Sequence, residues 1–380
     1  MGVWQGPLET VVSRPSNLPS PAFWQGRSVL VTGHTGFKGA WLCQWLLEMG
    51  AKVHGYALDP VARPNLFEAL ALTDSLATDV RADLSDLDSL RSTLEAAQPS
   101  VVIHMAAQSL VRESYRQPIA TVATNVLGTA HVLEAARACP SIQAILVITT
   151  DKVYENREWV HPYREGDALG GHDLYSASKA AAELIVSAYR RSFYLAREGD
   201  LQVPVLCTAR AGNVIGGGDW SMDRLVPDCV RAFSVGRAVT LRQPDALRPW
   251  QHVLDPLSGY LVLLEHMCAS RCEPGTTAWN FGPDGAGDGT VGAVAQEIAR
   301  LWGDNARVVV DTGAAKGMHE AGLLRLDPSL AKARLGWNCR WGLDRALKET
   351  VHWYRAFAAT GNAKDLCRAQ LQAFVHGDPS

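Results

Sequence analysis

The sequence predicts an α/β protein, a doubly wound parallel sheet with a smaller C-terminal lobe, and three observations carry that reading. From residue 28 to about residue 210, short β-rich runs alternate with longer helical stretches. The runs are continuously apolar, as in SVLVT (28–32), VVIHMAA (101–107) and QAILVITT (143–150), which suits strands covered on both faces. A glycine-punctuated turn separates the first run from the first helix, and ligands of such sheets bind at the carboxyl ends of the strands.

The elements follow in order. Residues 1–22, MGVWQGPLETVVSRPSNLPSPA, lack the basic start and apolar core of a signal peptide and read as a loosely ordered tail. The strand SVLVT leads to the helical AWLCQWLLEMG, where Gly50 suits a helix end. KVHGYAL (52–58) and DVRADL (79–84) are the next strands, and Ser85 or Asp86 caps a helix running to about Ala97. VVIHMAA, a helix from about Ile119 to Ala138, QAILVITT and VPVLCTAR (203–210) complete the series. Beyond it the glycine-rich GNVIGGGDW opens the second lobe, which ends in a helix around LDRALKETVHWYRAF.

Composition narrows the function. At 380 residues the chain suits two lobes. With 36 basic against 39 acidic residues and a net charge of -3, it carries no electrostatic footprint for nucleic acid or an anionic membrane. The eight cysteines, at 43, 139, 207, 229, 268, 272, 339 and 367, show neither a CxxC pair nor zinc-site spacing, so no metal is expected. Reduced thiols, and the lack of any run near the ~20 apolar residues of a membrane span, point to a cytoplasmic protein.

The segment VLVTGHTGFKG sets Gly33, Gly36 and Gly39 between strand and helix, where glycine permits a tight turn and close approach of backbone N–H groups to a pyrophosphate. Asp59 falls twenty residues after Gly39, at the end of the second strand, where a carboxylate binds adenosine ribose hydroxyls. This is the pattern of a Rossmann-type dinucleotide site. Asp59 repels a 2′-phosphate and favours NAD over NADP, although Arg63 keeps that choice open. Asp83 and Leu84 stand at the next strand end, within reach of adenine, and Asp83 serves equally as a helix cap. In YSASK, Tyr175 and Lys179 are four apart and project from one helix face, so the ammonium is expected to lower the phenol from its usual value of about 10 and make it a base. Thr150 is available to bind the same substrate hydroxyl.

GxxGxxG, the AAQ of Ala106, Ala107 and Gln108, Asn125, YxxxK and the LGW of 335–337 together resemble the extended short-chain dehydrogenase/reductases acting on nucleotide sugars. TDK (150–152), GHTGFKG, YENREW, RAGNVIGGGDW and RPWQHVL are similar to the branch that dehydrates CDP-glucose; the branch acting on dTDP-sugars carries TDE. The resemblance implies that Gly33, Thr35, Gly36, Phe37, Lys38, Gly39, Asp59, Asp83, Leu84, Ala106, Ala107, Gln108, Asn125, Tyr175 and Lys179 bind NAD. It further implies hydride removal from C4, loss of water across C5 and C6, and hydride return to C6, with CDP-glucose or a similar nucleotide sugar as substrate. A dehydratase or 4-epimerase acting on another nucleotide sugar is the neighbouring alternative.

The elimination needs an acid and a base, and Asp151 and Lys152 are the candidates. Asp151 must keep its proton, which burial favours and a neighbouring ammonium opposes. Lys152 serves as the C5 base or as a cation stabilising the enolate. Neighbours on a regular strand point to opposite faces, so both reach one sugar only where the strand has ended and the backbone bends. Asn213 and Arg248 match diphosphate-binding positions, with Arg210 and Asn280 as weaker substrate candidates. His252 reads as structural, and Trp220 and Trp250 either stack on the base or pack. The expected domains are a tail (1–22), an NAD-binding domain (23–210 plus 249–272) and a nucleotide-sugar-binding lobe (211–248 plus 273–370). The resemblance implies a homodimer through two long helices per subunit.

Overall fold

The computed structural model describes residues 18–61, 63–195, 203–270, 277–283, 288–303, 306–311 and 322–377. Its first element is a single helical turn, α1 (Pro21–Trp24). The Trp24 indole and the Ser20 N–H both donate to Glu265 Oε1 at 2.7 Å, so the last residues of the segment read as a tail are docked. Residues 1–17 of that reading lie outside the described part.

The first half of the chain winds outward from β1 (Ser28–Thr32) through α2 (Phe37–Glu48), β2 (Lys52–Ala57) and α3 (Leu66–Ala69) to β3 (Thr78–Arg81). Asp86 caps α4 (Leu87–Ala97) by accepting the Ser89 N–H at 2.9 Å, and β4 (Val101–His104) follows. The single helix expected over 119–138 is divided. After α5 (Val111–Arg116), Pro118 starts α6 (Pro118–Val122), and a π-helical turn over Ala123–Leu127 joins it to α7 (Gly128–Arg137). Such a turn re-aims a side chain inward, here Asn125, which is buried. β5 (Ala144–Ile148), α8 (Leu174–Phe193) and β6 (Val205–Ala211) complete this half.

Next come β7 (Val214–Ile215), α9 (Leu225–Phe233), β8 (Val239–Leu241), β9 (Leu247–Pro249), β10 (Gln251–His252) and the buried α10 (Leu254–Ser270). They are followed by β11 (Ala278–Phe281), β12 (Asp288–Thr290), α11 (Val291–Trp302), β13 (Val308–Val310), α12 (Ser329–Leu335), α13 (Leu343–Thr360) and α14 (Ala363–His376). The main sheet has seven parallel strands in the order β11-β6-β5-β4-β1-β2-β3. β11, read from the sequence as part of the lobe, pairs with β6 and is an edge strand of this sheet. Three two-stranded pairs, β7 with β10, β8 with β13 and β9 with β12, build the smaller part.

Continuous apolarity has a direct cause. Val29 and Val31 enter one core with Trp41, Leu146 and Trp279, while Leu30 enters the other with Val102, Leu133 and Leu206, so every position of a central strand is buried. The winding direction reverses between β1 and β4, which opens a crevice at their carboxyl ends.

Candidate active site

The crevice is lined by the glycine turn. Gly33 has a φ of +74°, and a Cβ there would lie 2.7 Å from the Ala106 backbone, because the loop after β4 presses on the turn. A Cβ on Gly39 would meet the Gly33 carbonyl at 2.2 Å. Gly36 differs: its nearest neighbour is the Gly33 carbonyl at 3.4 Å, and it stands at the start of α2 with no side-chain cap. A Cβ on Gly36 would meet no other atom within 4 Å, and the uncapped first-turn N–H groups of a helix are the kind of place where an anion binds.

The other cofactor candidates divide. The Asp59 side chain is 86% exposed, 3.5 Å from Arg81, itself paired with Asp79 at 2.7 Å and stacked on Phe67. Arg63 points to Glu68 at 3.9 Å and is 85% exposed. Thr35 donates to the Leu58 carbonyl. Asp83 accepts the Ser85 N–H, so it closes a turn, and Leu84 is buried against Gly128. Asn125 accepts the Gln108 N–H and donates to the Gln108 carbonyl and to Ser178, while the Gln108 side chain bonds Leu110 and Thr121. Both side chains therefore shape the Ala106–Gln108 loop and are spent doing so.

At the end of β5 the backbone bends as the paired charges require. The strand stops at Ile148, Thr150 is still extended, and Asp151–Val153 form a 3-10 turn that breaks the alternation. Asp151 is 1% exposed. Its Oδ1 accepts the Thr150 hydroxyl at 2.9 Å, and its Oδ2 is buried with no hydrogen-bond partner. Burial pushes its carboxyl up, opposed first by Lys152 and then by the Thr150 hydrogen bond and Arg248. Lys152 is half-buried, and its ammonium makes no hydrogen bond or ion pair among the described residues. Asp173 caps α8, which presents Tyr175 and Lys179 to this turn.

The Tyr175 phenol lies near enough to Thr150 for that hydroxyl to act on it, and Thr150 in turn donates to Asp151. The expected lowering of the phenol does not occur. Burial pushes Tyr175 up to about 12, with Thr150 and Arg224 pulling the other way. The reason is geometric, since the Lys179 ammonium is turned to the Ile148 carbonyl at 2.8 Å. Burial pushes Lys179 down to about 8.

Two of the substrate candidates are placed elsewhere. Arg210 forms a buried ion pair with Glu183 at 2.9 Å and donates to Tyr154; Glu183 also accepts from Thr149 and Thr208. Asn280 is fully buried, bonding Tyr154, the Tyr163 carbonyl and the Asp327 carbonyl. Neither is available to a ligand. Arg248 is buried close enough to Asp151 to act on its carboxyl, and Asn213 stands beside β7 with no side-chain hydrogen bond among the described residues. His252 packs on Trp341, Trp250 donates to the Gly289 carbonyl, and Trp220 packs on α13 through Trp353, Tyr354 and Phe357.

Sequence reasoning missed Arg224. It donates to Ser109 and Asp219, and its charge acts on both Tyr175 and Lys38. The lone arginine of DRL (223–225) carries no pattern by which to find it.

A glycine turn at the β1/β4 crevice and a Thr-Asp-Lys turn facing a YxxxK helix define an extended short-chain dehydrogenase/reductase. The chain belongs to the GDP-mannose 4,6 dehydratase family, which residues 30–350 match. It is 48% identical over 335 residues, 88% of this chain and 92% of the relative, to the CDP-glucose 4,6-dehydratase of Salmonella typhimurium. It is 25% identical to the dTDP-glucose 4,6-dehydratase of Haemophilus influenzae, over 86% of this chain and 97% of the relative. Among solved structures, the UDP-glucose 4-epimerase of Thermotoga maritima with UDP-glucose superposes with a TM-score of 0.74 at 21% identity, covering 87% of this chain and 99% of that one. The dTDP-glucose 4,6-dehydratase of Bacillus anthracis in complex with NAD does so with a TM-score of 0.71 at 22% identity, over 87% and 97%. At those identities the structural likeness speaks for the fold.

Proposed function

We propose that the chain is an NAD-dependent hydro-lyase that converts CDP-glucose to CDP-4-keto-6-deoxyglucose. The observation that carries this reading is the turn after β5, which sets a buried, partly unpaired carboxyl next to an ammonium with no partner among the described residues, joins the carboxyl to Thr150 and brings both near Tyr175. An epimerase needs the tyrosine and the lysine of YxxxK but no such acid and base.

Gly33, Gly36, Gly39 and the start of α2 fit the pyrophosphate of NAD, and the exposed Asp59 fits its adenosine ribose. When bound, NAD+ would supply a hydride acceptor at C4 of the glucosyl unit, and its reduced form the hydride donor at C6. Thr150 and Tyr175 hold the C4 hydroxyl, and Tyr175 takes its proton. Arg224 stabilises the phenolate against the burial that opposes it. Asp151, whose carboxyl burial pushes up, gives its proton to the departing C6 hydroxyl, which leaves as water. Lys152 takes the C5 proton or stabilises the enolate. Asn213 and Arg248 hold the diphosphate, the guanidinium by paired charge-assisted bonds.

Supporting a homodimer, Ile119 (80% exposed), Leu127 and Leu184 (61%) lie on α6, the π-helical turn and α8 as exposed apolar side chains that a second copy would cover. The free thiols of the seven described cysteines fit the cytoplasm. Among the described residues no helix is long and apolar enough to cross a membrane.

The test is incubation of the purified protein, with and without added NAD, with CDP-, UDP-, dTDP- and GDP-glucose. Mass spectrometry should show loss of one water from the CDP-sugar first. A product of unchanged mass, or no turnover of any of them, overturns the reading.

A further inference from the structure

Lys38 is the second residue of α2, and its side chain runs inward: Nζ donates to the Tyr260 hydroxyl at 3.0 Å and lies 5.1 Å from the centre of that ring. Tyr260 belongs to α10 and is fully buried. No carboxylate bonds this ammonium among the described residues. Burial, and after it the repulsion of Arg224 and Lys179, pushes it down to about 7, while Asp151 pulls the other way. An ammonium held among like charges is costly, and a packing role alone is served better by a methionine of similar length. A lysine devoted to the pyrophosphate has no need of an anchor on α10 that turns its tip inward.

We propose that Lys38, held by Tyr260 in the same chamber as Asp151 and Lys179, is a redox-biasing charge that opposes the positive ring of oxidised nicotinamide and makes the site favour NADH over NAD+. Removal of hydride from C4 is thereby favoured, because the ring loses its charge as it accepts the hydride. The residue acts through the field, so its signature is a difference between the two cofactor forms.

The inference rests on the crevice being an NAD site. The experiment equilibrates the full-length protein at about pH 6, where Lys38 holds its proton, with mixtures of NAD+ and NADH and measures the bound ratio for the unaltered chain, Lys38→Met, Lys38→Arg and Tyr260→Phe. Lys38→Met should shift the ratio towards NAD+ by about tenfold, equivalent to ~1.4 kcal/mol. Lys38→Arg should leave it close to that of the unaltered protein, and Tyr260→Phe should shift it part of the way. Lys38→Gln replaces the methionine variant where that one does not fold. Equal weakening of both forms makes Lys38 a phosphate ligand, and an unmoved ratio makes it a structural residue; either overturns the proposal. Failure of the unaltered protein to bind either form instead sinks the reading of the crevice.

Discussion

Asp151 and Lys152 are neighbours that a continued strand would send to opposite faces, and the 3-10 turn that begins at Asp151 removes that obstacle. The two should therefore fail differently when altered. Lys152→Met keeps C4 oxidation and blocks water loss, so reduced cofactor accumulates by absorbance while no deoxysugar forms. Asp151→Asn cannot donate a proton and should lower kcat about a hundredfold or more. Arg210→Met leaves Glu183 buried without its cation, and chemical denaturation should show a loss of ~3–5 kcal/mol with KM for the nucleotide sugar little changed in the folded fraction. This residue also marks where a sequence stops being legible. An arginine after an apolar run looks the same whether it faces a diphosphate or a glutamate on a helix 27 positions earlier, and only the packing of α8 on β6 decides. The YxxxK pair was legible as a shared helix face, but the direction of the Tyr175 shift was not, since it depends on where Lys179 finds its acceptor.

At the scale of elements, the turn before α2 separates glycine's two uses. Gly39→Ala drives a methyl into the Gly33 carbonyl and should destabilise the fold with or without cofactor. Gly36→Ala meets nothing closer than 3.4 Å, at a φ of -77° that any residue adopts. Thermal melts of the free protein should barely change, while NAD binding weakens at least about tenfold, the ~1.4 kcal/mol lost when a methyl occupies phosphate space. This turn was readable because glycine is the only residue that meets both demands. The central strands β1, β4 and β5 were readable in existence and chain order, because both faces of each are buried. Their ends were not: the apolar runs at 101–107 and 143–150 continue past His104 and Ile148, where the backbone leaves the sheet to form the site. Likewise β11 shows as a sheet strand only through its pairing with β6.

Across the whole molecule, Asp255 at the start of α10 fastens the sheet domain to the C-terminal segment. Its Oδ1 accepts the Arg340 N–H at 2.6 Å, and its Oδ2 is buried without a partner. Burial raises it from 3.8 to about 7. A group raised on folding stabilises the fold fully below its unfolded value and loses that contribution as pH rises through the folded one. The unaltered protein should thus lose stability between about pH 4 and pH 8 from this group, and Asp255→Asn should gain in Tm relative to it as pH rises across that window. The linkage between the two halves was not visible in the sequence, where Asp255 is one acid in an apolar helix. The proposed reaction requires one chamber, formed by residues from β5, α8 and the turn between them, to remove hydride at C4, expel water across C5 and C6, and return the same hydride. CDP-glucose carrying deuterium at C4, turned over in ordinary water and read by mass spectrometry and NMR, follows that hydride. The product should be one water lighter with the deuterium at C6; deuterium washed out to solvent, or retained at C4 of a sugar that keeps its water, would contradict the proposal.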